Sequence, residues 1–499
     1  MRPQASLTKQ AGLLMAGRLL ALPLSILVPM ILVRTFSVEE FGIYKQLFLV
    51  FAVVLPVIDL GVSNSLFYFV PKYPEQKSQI LSQTIYLQVI ICTGVAIAFF
   101  LFNDKIGNLF SENANSLALH IPMLGLVAIS WHFSNLQETL LIVEKKAFQA
   151  GVISFLSEAL RSIVSIAVAL AGGKIGILLL ALLATGVIRA LALGSYLAKT
   201  IQFQRIKLPH LRSQLAYSLP FGLAVVVNTL VQSSHQFIVA ASVSITDYAV
   251  YAVGCFQLPI LGIIVDSVAK ASLVKMSEIA GAKNSSIVMA ELISNSIRKL
   301  WILFFPIFVF FFITAEEFIV LLFTDTYRAS VPVFRIFILM IPLSTILVQH
   351  VPRAYNETRF ILMSNLATLL LSAAFCIVLI GRLGLAGAAI GFIMANLCWR
   401  FFFISKCKRL LNMPIRSFFP SRALASVAIS VGIIGIASFF IKRVFFITPL
   451  PAFLFTLVLF AVACVGLYSQ SAILRPDEKA LIRGNIRRVL SRFSILKAD

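Results

Sequence analysis

Stretches of about 20 mostly apolar residues, the length that crosses a bilayer as a helix, recur fourteen times along this chain. They predict helices near 11–33, 46–70, 83–102, 117–143, 147–171, 175–198, 214–241, 249–269, 300–323, 331–351, 361–380, 384–404, 423–441 and 451–470. The predicted fold class is therefore an all-α polytopic membrane protein. The first run extends to Val33 without a small-residue cleavage site, so it is expected as a retained first helix. Polar connections are short on one side, where the longest, 103–116, has some fourteen residues. On the other side lie two long polar segments, 271–299 and the tail 471–499. In the tail, Ile482, Ile486, Val489 and Phe493 share one helical face, with Arg483, Arg487, Arg488 and Arg492 elsewhere. That pattern predicts a basic amphipathic helix on the membrane surface.

The pattern repeats. Ser37-Val-Glu-Glu-Phe-Gly-Ile-Tyr44 returns as Ser244-Ile-Thr-Asp-Tyr-Ala-Val-Tyr251 at an offset of 207. Gly173-Lys-Ile-Gly176 returns as Gly381-Arg-Leu-Gly384 at an offset of 208. The period spans six predicted helices, an even number, so the repeats run parallel. Parallel repeats belong to transporter architectures with a substrate site between the halves. The expected organisation is a six-helix lobe at 1–212, a second at 213–420, two added helices at 421–470 and the tail at 471–499.

Composition agrees. The chain is 60% apolar and 12% charged, against about 45–50% and about 25% in soluble domains. A soluble enzyme, a disordered chain and a nucleic-acid-binding module are excluded. The net charge of +22 is a topology signal. With the N-terminus in the cytoplasm, cytoplasmic segments hold 30 of the 42 Lys and Arg residues and the opposite loops hold 8. The remaining four, Arg18, Arg161, Arg189 and Arg335, fall inside helices. The bias places both ends in the cytoplasm, and no nucleic-acid partner is expected. The six cysteines form no CxxC and none lies in an outer loop, so neither a disulfide frame nor a zinc site is predicted.

Eight charged side chains fall within spans: Arg18, Asp59, Glu138, Glu158, Arg161, Arg189, Asp266 and Arg335. Each costs roughly 2.5–3.5 kcal/mol at a helix centre facing lipid, so they are expected to pair or to line a wet cavity. Ser154, Glu158, Arg161 and Ser165 share one helical face, as do Asn228, Gln232, His235 and Gln236. Glu158 and Arg161, three apart, either neutralise each other or face a cavity. Arg18 and Arg189 have no carboxylate at i±3 or i±4 and stand out as substrate contacts. His235 reads as an interior hydrogen-bonded histidine or a proton carrier. The candidate cavity set is Arg18, Asp59, Glu158, Arg161, Arg189, Asn228 and Gln232, with Asp59, Glu158 and His235 as candidate ion-coupling residues. No HExxH, DxD, GxSxG or P-loop is present, and the dispersed histidines lack metal-ligand spacing. Enzyme activity, a metal and a cofactor are not expected; coupling to Na+ or H+ is left open.

These features resemble the oligosaccharide flippase branch of the multidrug/oligosaccharidyl-lipid/polysaccharide (MOP) exporter superfamily, the bacterial polysaccharide biosynthesis membrane proteins. The resemblance is carried by Phe36-Ser-Val-Glu-Glu-Phe-Gly-Ile-Tyr-Lys45, Tyr217-Ser-Leu-Pro-Phe-Gly-Leu223, Asp247-Tyr-Ala-Val-Tyr251 and Gly381-Arg-Leu-Gly384. It implies an inner-membrane flippase for undecaprenyl-diphosphate-linked oligosaccharide repeats, serving O-antigen, capsule or exopolysaccharide assembly by alternating access. It also implies membrane lipid, polymerase and other assembly proteins as partners. Relatives often carry an acidic residue near the position of His235, and its absence here leaves the coupling ion open. Alternatives are a cation-coupled drug antiporter or lipid II flippase of the same superfamily, and a membrane glycan polymerase or ligase.

Overall fold

The computed structural model describes residues 7–110, 114–200, 202–204, 208–280, 285–445 and 448–470. The tail expected to lie on the membrane is outside the described residues, as is the side chain of Arg18.

The described residues are helical, with no strand among them. In chain order the helices are α1 (Leu7–Thr35), α2 (Val38–Asp59), α3 (Val62–Lys72), α4 (Lys77–Leu101), α5 (Asn103–Gly107), α6 (Ala114–Val143) and α7 (Ala147–Leu170). Then come α8 (Ile175–Thr200), α9 (Leu208–Ser242), α10 (Ile245–Gly254), α11 (Pro259–Ile279), α12 (Ser285–Ile313) and α13 (Ala315–Phe323). The remaining described helices are α14 (Val331–Phe337), α15 (Met340–Ser344), α16 (His350–Ala354), α17 (Thr358–Leu411), α18 (Ile415–Phe418), α19 (Ser421–Phe445) and α20 (Pro449–Gln470).

Eleven of the described helices are long and apolar enough to cross a membrane, and twelve if the bent pair α10–α11 is one span. The difference from the expected fourteen has local causes. In α1 the apolar stretch Leu19–Thr35 is shorter than a full span. The expected spans 361–380 and 384–404 share α17, which folds back at Gly384 (φ 59°, ψ −143°). Across that turn Gly387 lies against the Leu379 carbonyl and Gly391 against the Phe375–Cys376 backbone. The segment 271–299, expected as a polar loop, is instead mostly helix, because α11 runs to Ile279 and α12 starts at Ser285.

Both copies of the repeated Ser-containing motif start a helix in the same way. Ser37 caps α2, its hydroxyl accepting from Glu40 N–H at 3.1 Å while the Glu40 carboxylate accepts from Ser37 N–H at 3.0 Å. Such a reciprocal pair satisfies two donors that a helix start leaves open. Ser244 caps α10 through Asp247 N–H at 3.1 Å. The copies also meet, since a Cβ on Gly42 would stand 2.6 Å from the Ile245 carbonyl oxygen.

Contacts divide the chain into two compact units. The first comprises Met1–Ile260, Leu322–Phe337 and Arg359–Trp399. Small residues set its helix spacing, as is usual where lipid supplies no hydrophobic drive. Gly17 of α1 lies on Gly151 of α7, and Gly186 of α8 lies on Ser130 of α6. Leu66, Val70, Ile80, Leu81, Leu136, Leu140, Leu193 and Leu197 form an apolar core from α3, α4, α6 and α8. Gln214 of α9 ties on by donating to Ser65 and Thr84 hydroxyls, both at 2.8 Å.

Within this unit α2 and α3 are one span broken at Leu60 (φ 40°) and Gly61 (φ 75°). Asp59 makes the break by accepting from Gly61 N–H and Ser63 N–H, so that α3 starts afresh. The break seats on α9, where a Cβ on Gly222 would stand 2.1 Å from the Leu60 carbonyl carbon.

The second unit comprises Leu261–Leu321, Ile338–Thr358 and Arg400–Asp499. Its described core joins α12, α19 and α20 through Val309, Phe310, Ile313, Val427, Val431, Phe460 and Cys464. Here the chain from Ile338 to Tyr355 is only briefly helical, in α15 and α16, each of which contains a proline, Pro342 and Pro352, lacking the N–H that a longer helix would use. Side chains add hydrogen bonds to carbonyls there: Arg400 Nε donates to Leu343 O at 2.9 Å and Cys407 Sγ to Val348 O at 3.2 Å.

Candidate functional site

Three of the predicted residues come together in the first unit. Glu158 and Arg161 are ion-paired on α7, and each side chain keeps nearly 30% of its surface accessible (28% and 29%). The Arg161 guanidinium lies 5.0 Å above the Trp131 ring of α6. Arg189 of α8 is within electrostatic reach of Glu158, Arg161 and Glu138 of α6. Tyr44 of α2 reaches the same charges, Arg161 first and then Glu158. Close packing of α6 on α8 assembles this group, with Ser134 Oγ donating to Gly186 O at 3.3 Å. Two glutamates and two arginines make the quartet neutral. The absence of a carboxylate near Arg189 along its own helix was thus no guide to its surroundings, because both acidic neighbours come from other helices.

The other candidates are placed elsewhere. Asp59 is engaged as the cap of α3, and its carboxylate also accepts from Asn64 Nδ2 at 3.2 Å. Asn228 and Gln232 are exposed one turn apart on α9. His235 of the same predicted stripe is fully buried: its Nδ1 and the Tyr251 hydroxyl lie 2.7 Å apart, and the Phe392 ring is at 4.1 Å. The stripe therefore divides into a packed end and an exposed end. Asp266 is exposed on α11, and Arg335 is half-buried on α14. Asp325 is ion-paired with Arg328 at 2.8 Å. Among the described residues no group of three or more His, Cys, Asp or Glu could hold a metal ion.

Two charge arrangements lay outside the sequence prediction. Lys45, assigned to a loop because the apolar run begins at residue 46, sits two turns inside α2. The signal was available: Ser37-x-x-Glu40 is a capping box, which starts the helix at Val38. The second arrangement surrounds Glu144, between α6 and α7. Its carboxylate accepts from Lys77 Nζ at 2.5 Å, from Lys146 Nζ at 2.7 Å and from the Tyr196 hydroxyl. Burial alone would raise the Glu144 pKa, but these hydrogen bonds outweigh it and hold the carboxyl down at about 2.

A depressed carboxylate pKa stabilises the folded state above the unfolded value and ceases to do so as pH falls through the folded one. The stability difference between wild type and Glu144→Gln should therefore be constant above about pH 5. It should shrink steadily toward pH 2. Thermal unfolding of both proteins across that range checks this, and a difference that persists unchanged at the acid end would refute it.

A family model described as "Polysaccharide biosynthesis protein" matches residues 31–332. The chain belongs to the polysaccharide biosynthesis protein family. This family member shares its fold with solved transporters of the MOP superfamily. It resembles the lipid II flippase MurJ in an inward closed conformation, with a TM-score of 0.70 at 16% identity over 92% of this chain and 98% of that one. An inward-facing multidrug resistance MATE transporter aligns with a TM-score of 0.68 at 15% identity, over 78% of this chain and 95% of that one. A MOP superfamily transporter from Pyrococcus furiosus aligns with a TM-score of 0.58 at 16% identity, over 82% and 96%. No curated protein matches by sequence. The polysaccharide biosynthesis protein is thus a multi-pass membrane protein of transporter fold.

Proposed function

We infer that this protein flips undecaprenyl-diphosphate-linked oligosaccharide repeats from the inner to the outer leaflet of the bacterial cytoplasmic membrane, for O-antigen, capsule or exopolysaccharide assembly. The observation that carries the reading is the family match over residues 31–332. The intramembrane quartet of Glu138, Glu158, Arg161 and Arg189 supports it. A neutral, partly accessible group offers donors and acceptors to sugar hydroxyls without favouring either sign of charge. Arg18, Asn228 and Gln232 complete the set proposed to meet the headgroup. Translocation is by alternating access between the six-helix halves 1–212 and 213–420. No chemistry is performed on the substrate, and Na+ or H+ supplies the coupling through Asp59, Glu158 or His235. Both termini face the cytoplasm, and a polymerase takes up the product on the far side.

The test is flipping of defined lipid-linked glycans in proteoliposomes, with Na+ and H+ gradients imposed in turn. Polyprenyl-diphosphate oligosaccharides should become accessible to an impermeant reagent faster than in protein-free vesicles. Lipid II in a parallel arm tests a peptidoglycan-precursor substrate. Export of a cationic dye with no glycan movement would replace the flippase reading by a drug antiporter. Topology is checked separately by thiol labelling: a cysteine at Lys105 should react from outside intact cells, and one at Asp499 only after permeabilisation.

A further inference from the structure

We propose that Lys45 binds the phosphate charge of the transported headgroup, an inference that rests on the flippase reading. The argument is one of charge compensation. Arg161 is ion-paired with Glu158, and Arg189 lies within electrostatic reach of Glu158 and Glu138. The Asp59 carboxylate accepts from Gly61 N–H, Ser63 N–H and Asn64 Nδ2 at the start of α3. Lys45 has no carboxylate partner among the described residues. The Phe41 ring lies 5.3 Å from its Nζ.

Its position is equally specific. Lys45 is the eighth residue of α2, about 10 Å along the helix at 1.5 Å per residue. It is half-buried, and its neighbour Gln46 is buried with an Oε1 that has no hydrogen-bond partner among the described residues. Its other neighbour, Tyr44, reaches the Arg161–Glu158 pair. The helix that carries it packs against α6 on one side and against α9 and α10 on another. Thus α2 stands where helices of the first and second sequence repeats meet. The repeat-equivalent of Lys45 at the offset of 207 is Ala252, so the charge does not belong to the duplicated scaffold. Cations within membrane spans persist where they meet a counter-ion, a backbone carbonyl or a ligand. A diphosphate supplies the missing charge, and the neutral quartet beyond Tyr44 is left for sugar.

A lysine stem can also bend toward the membrane surface, and the experiment separates the two cases. Purified full-length protein in detergent is titrated with undecaprenyl diphosphate and with uncharged undecaprenol, and bound lipid is counted by native mass spectrometry. Wild type should prefer the diphosphate. Lys45→Met keeps the stem and removes the charge; it should weaken diphosphate binding roughly tenfold to a hundredfold, the range of one charge-assisted bond. Undecaprenol binding should not change. Lys45→Arg should restore most of the loss, and Arg189→Ala should lose less than Lys45→Met. Unfolding temperatures confirm that each variant is folded; if Lys45→Met fails that check, Lys45→Gln takes its place. Diphosphate affinity in the folded, uncharged variant equal to that of wild type would overturn the Lys45 assignment and leave the flippase reading standing. A wild type with no preference for the diphosphate would overturn both.

Discussion

Replacing Gly222 with alanine should lower the unfolding temperature and cut transport, although it adds a single methyl group. The new Cβ would stand 2.1 Å from the Leu60 carbonyl carbon and 2.2 Å from its oxygen. Both are backbone atoms, so no side-chain rotation relieves the clash. The break between α2 and α3 must move off α9, and the seam around it has little slack. A Cβ on Gly61 would already stand 2.6 Å from Ser218 O, and Gln214 is buried while bonding Ser65 and Thr84. Overpacking of this kind costs about 1–3 kcal/mol, and backbone contact puts Gly222→Ala toward the upper end. Gly94 of α4 is the control, because a Cβ there meets nothing within 4 Å. Fluorescence-detected thermal unfolding of both variants in detergent decides the matter. Equal midpoints for Gly222→Ala and Gly94→Ala would show that the seam is loose.

Glu317→Ala should destabilise more. Lys442 of α19 is buried and donates to Glu317 Oε1 of α13 at 2.6 Å and to Ile313 O at the end of α12 at 2.8 Å. Removing the carboxylate leaves an ammonium among apolar helices, and breaking a buried pair in this way costs about 3–5 kcal/mol. Replacing both partners by apolar residues of similar size is often neutral. The double variant Glu317→Leu with Lys442→Met should therefore recover most of the stability lost by the single one. The comparison is a double-mutant cycle in thermal unfolding. A double variant no more stable than Glu317→Ala would show that the charges are not coupled.

Most of the architecture was legible because the bilayer imposes a simple code. A span must bury its own backbone hydrogen bonds and shed charge, so an apolar run of sufficient length announces a helix. The starts of α2 and α10 were missed, although Ser37 with Glu40 and Ser244 with Asp247 mark them: a short side chain there satisfies open N–H groups within its own turn. The repeat at Ser37 and Ser244 was visible from residues alone, and capping gives it a physical reason. Where hydropathy misled, it did so at ends: the lysine at position 45 hid the first two turns of α2, and the polar residues 271–299 masked two helix extensions.

What the sequence determined by itself was therefore the medium, the helical class and the set of charges that had to be accommodated. Each follows from composition, or from interactions within one turn of helix, and these are local. Only the tertiary structure decided which charges meet. Arg189 of α8 comes within electrostatic reach of Glu138 of α6 and of the Glu158–Arg161 pair of α7 through helix packing in which Gly186 lies on Ser130. His235 and Gln232 stand three residues apart, yet one is buried against Phe392 and the other is exposed. Lys442 and Glu317 find each other across 125 residues of chain. Coulomb interactions act through space, and a helix offers each side chain to whatever neighbour packing brings to that face. Compensation of charge is for that reason a property of the packed molecule and not of the chain.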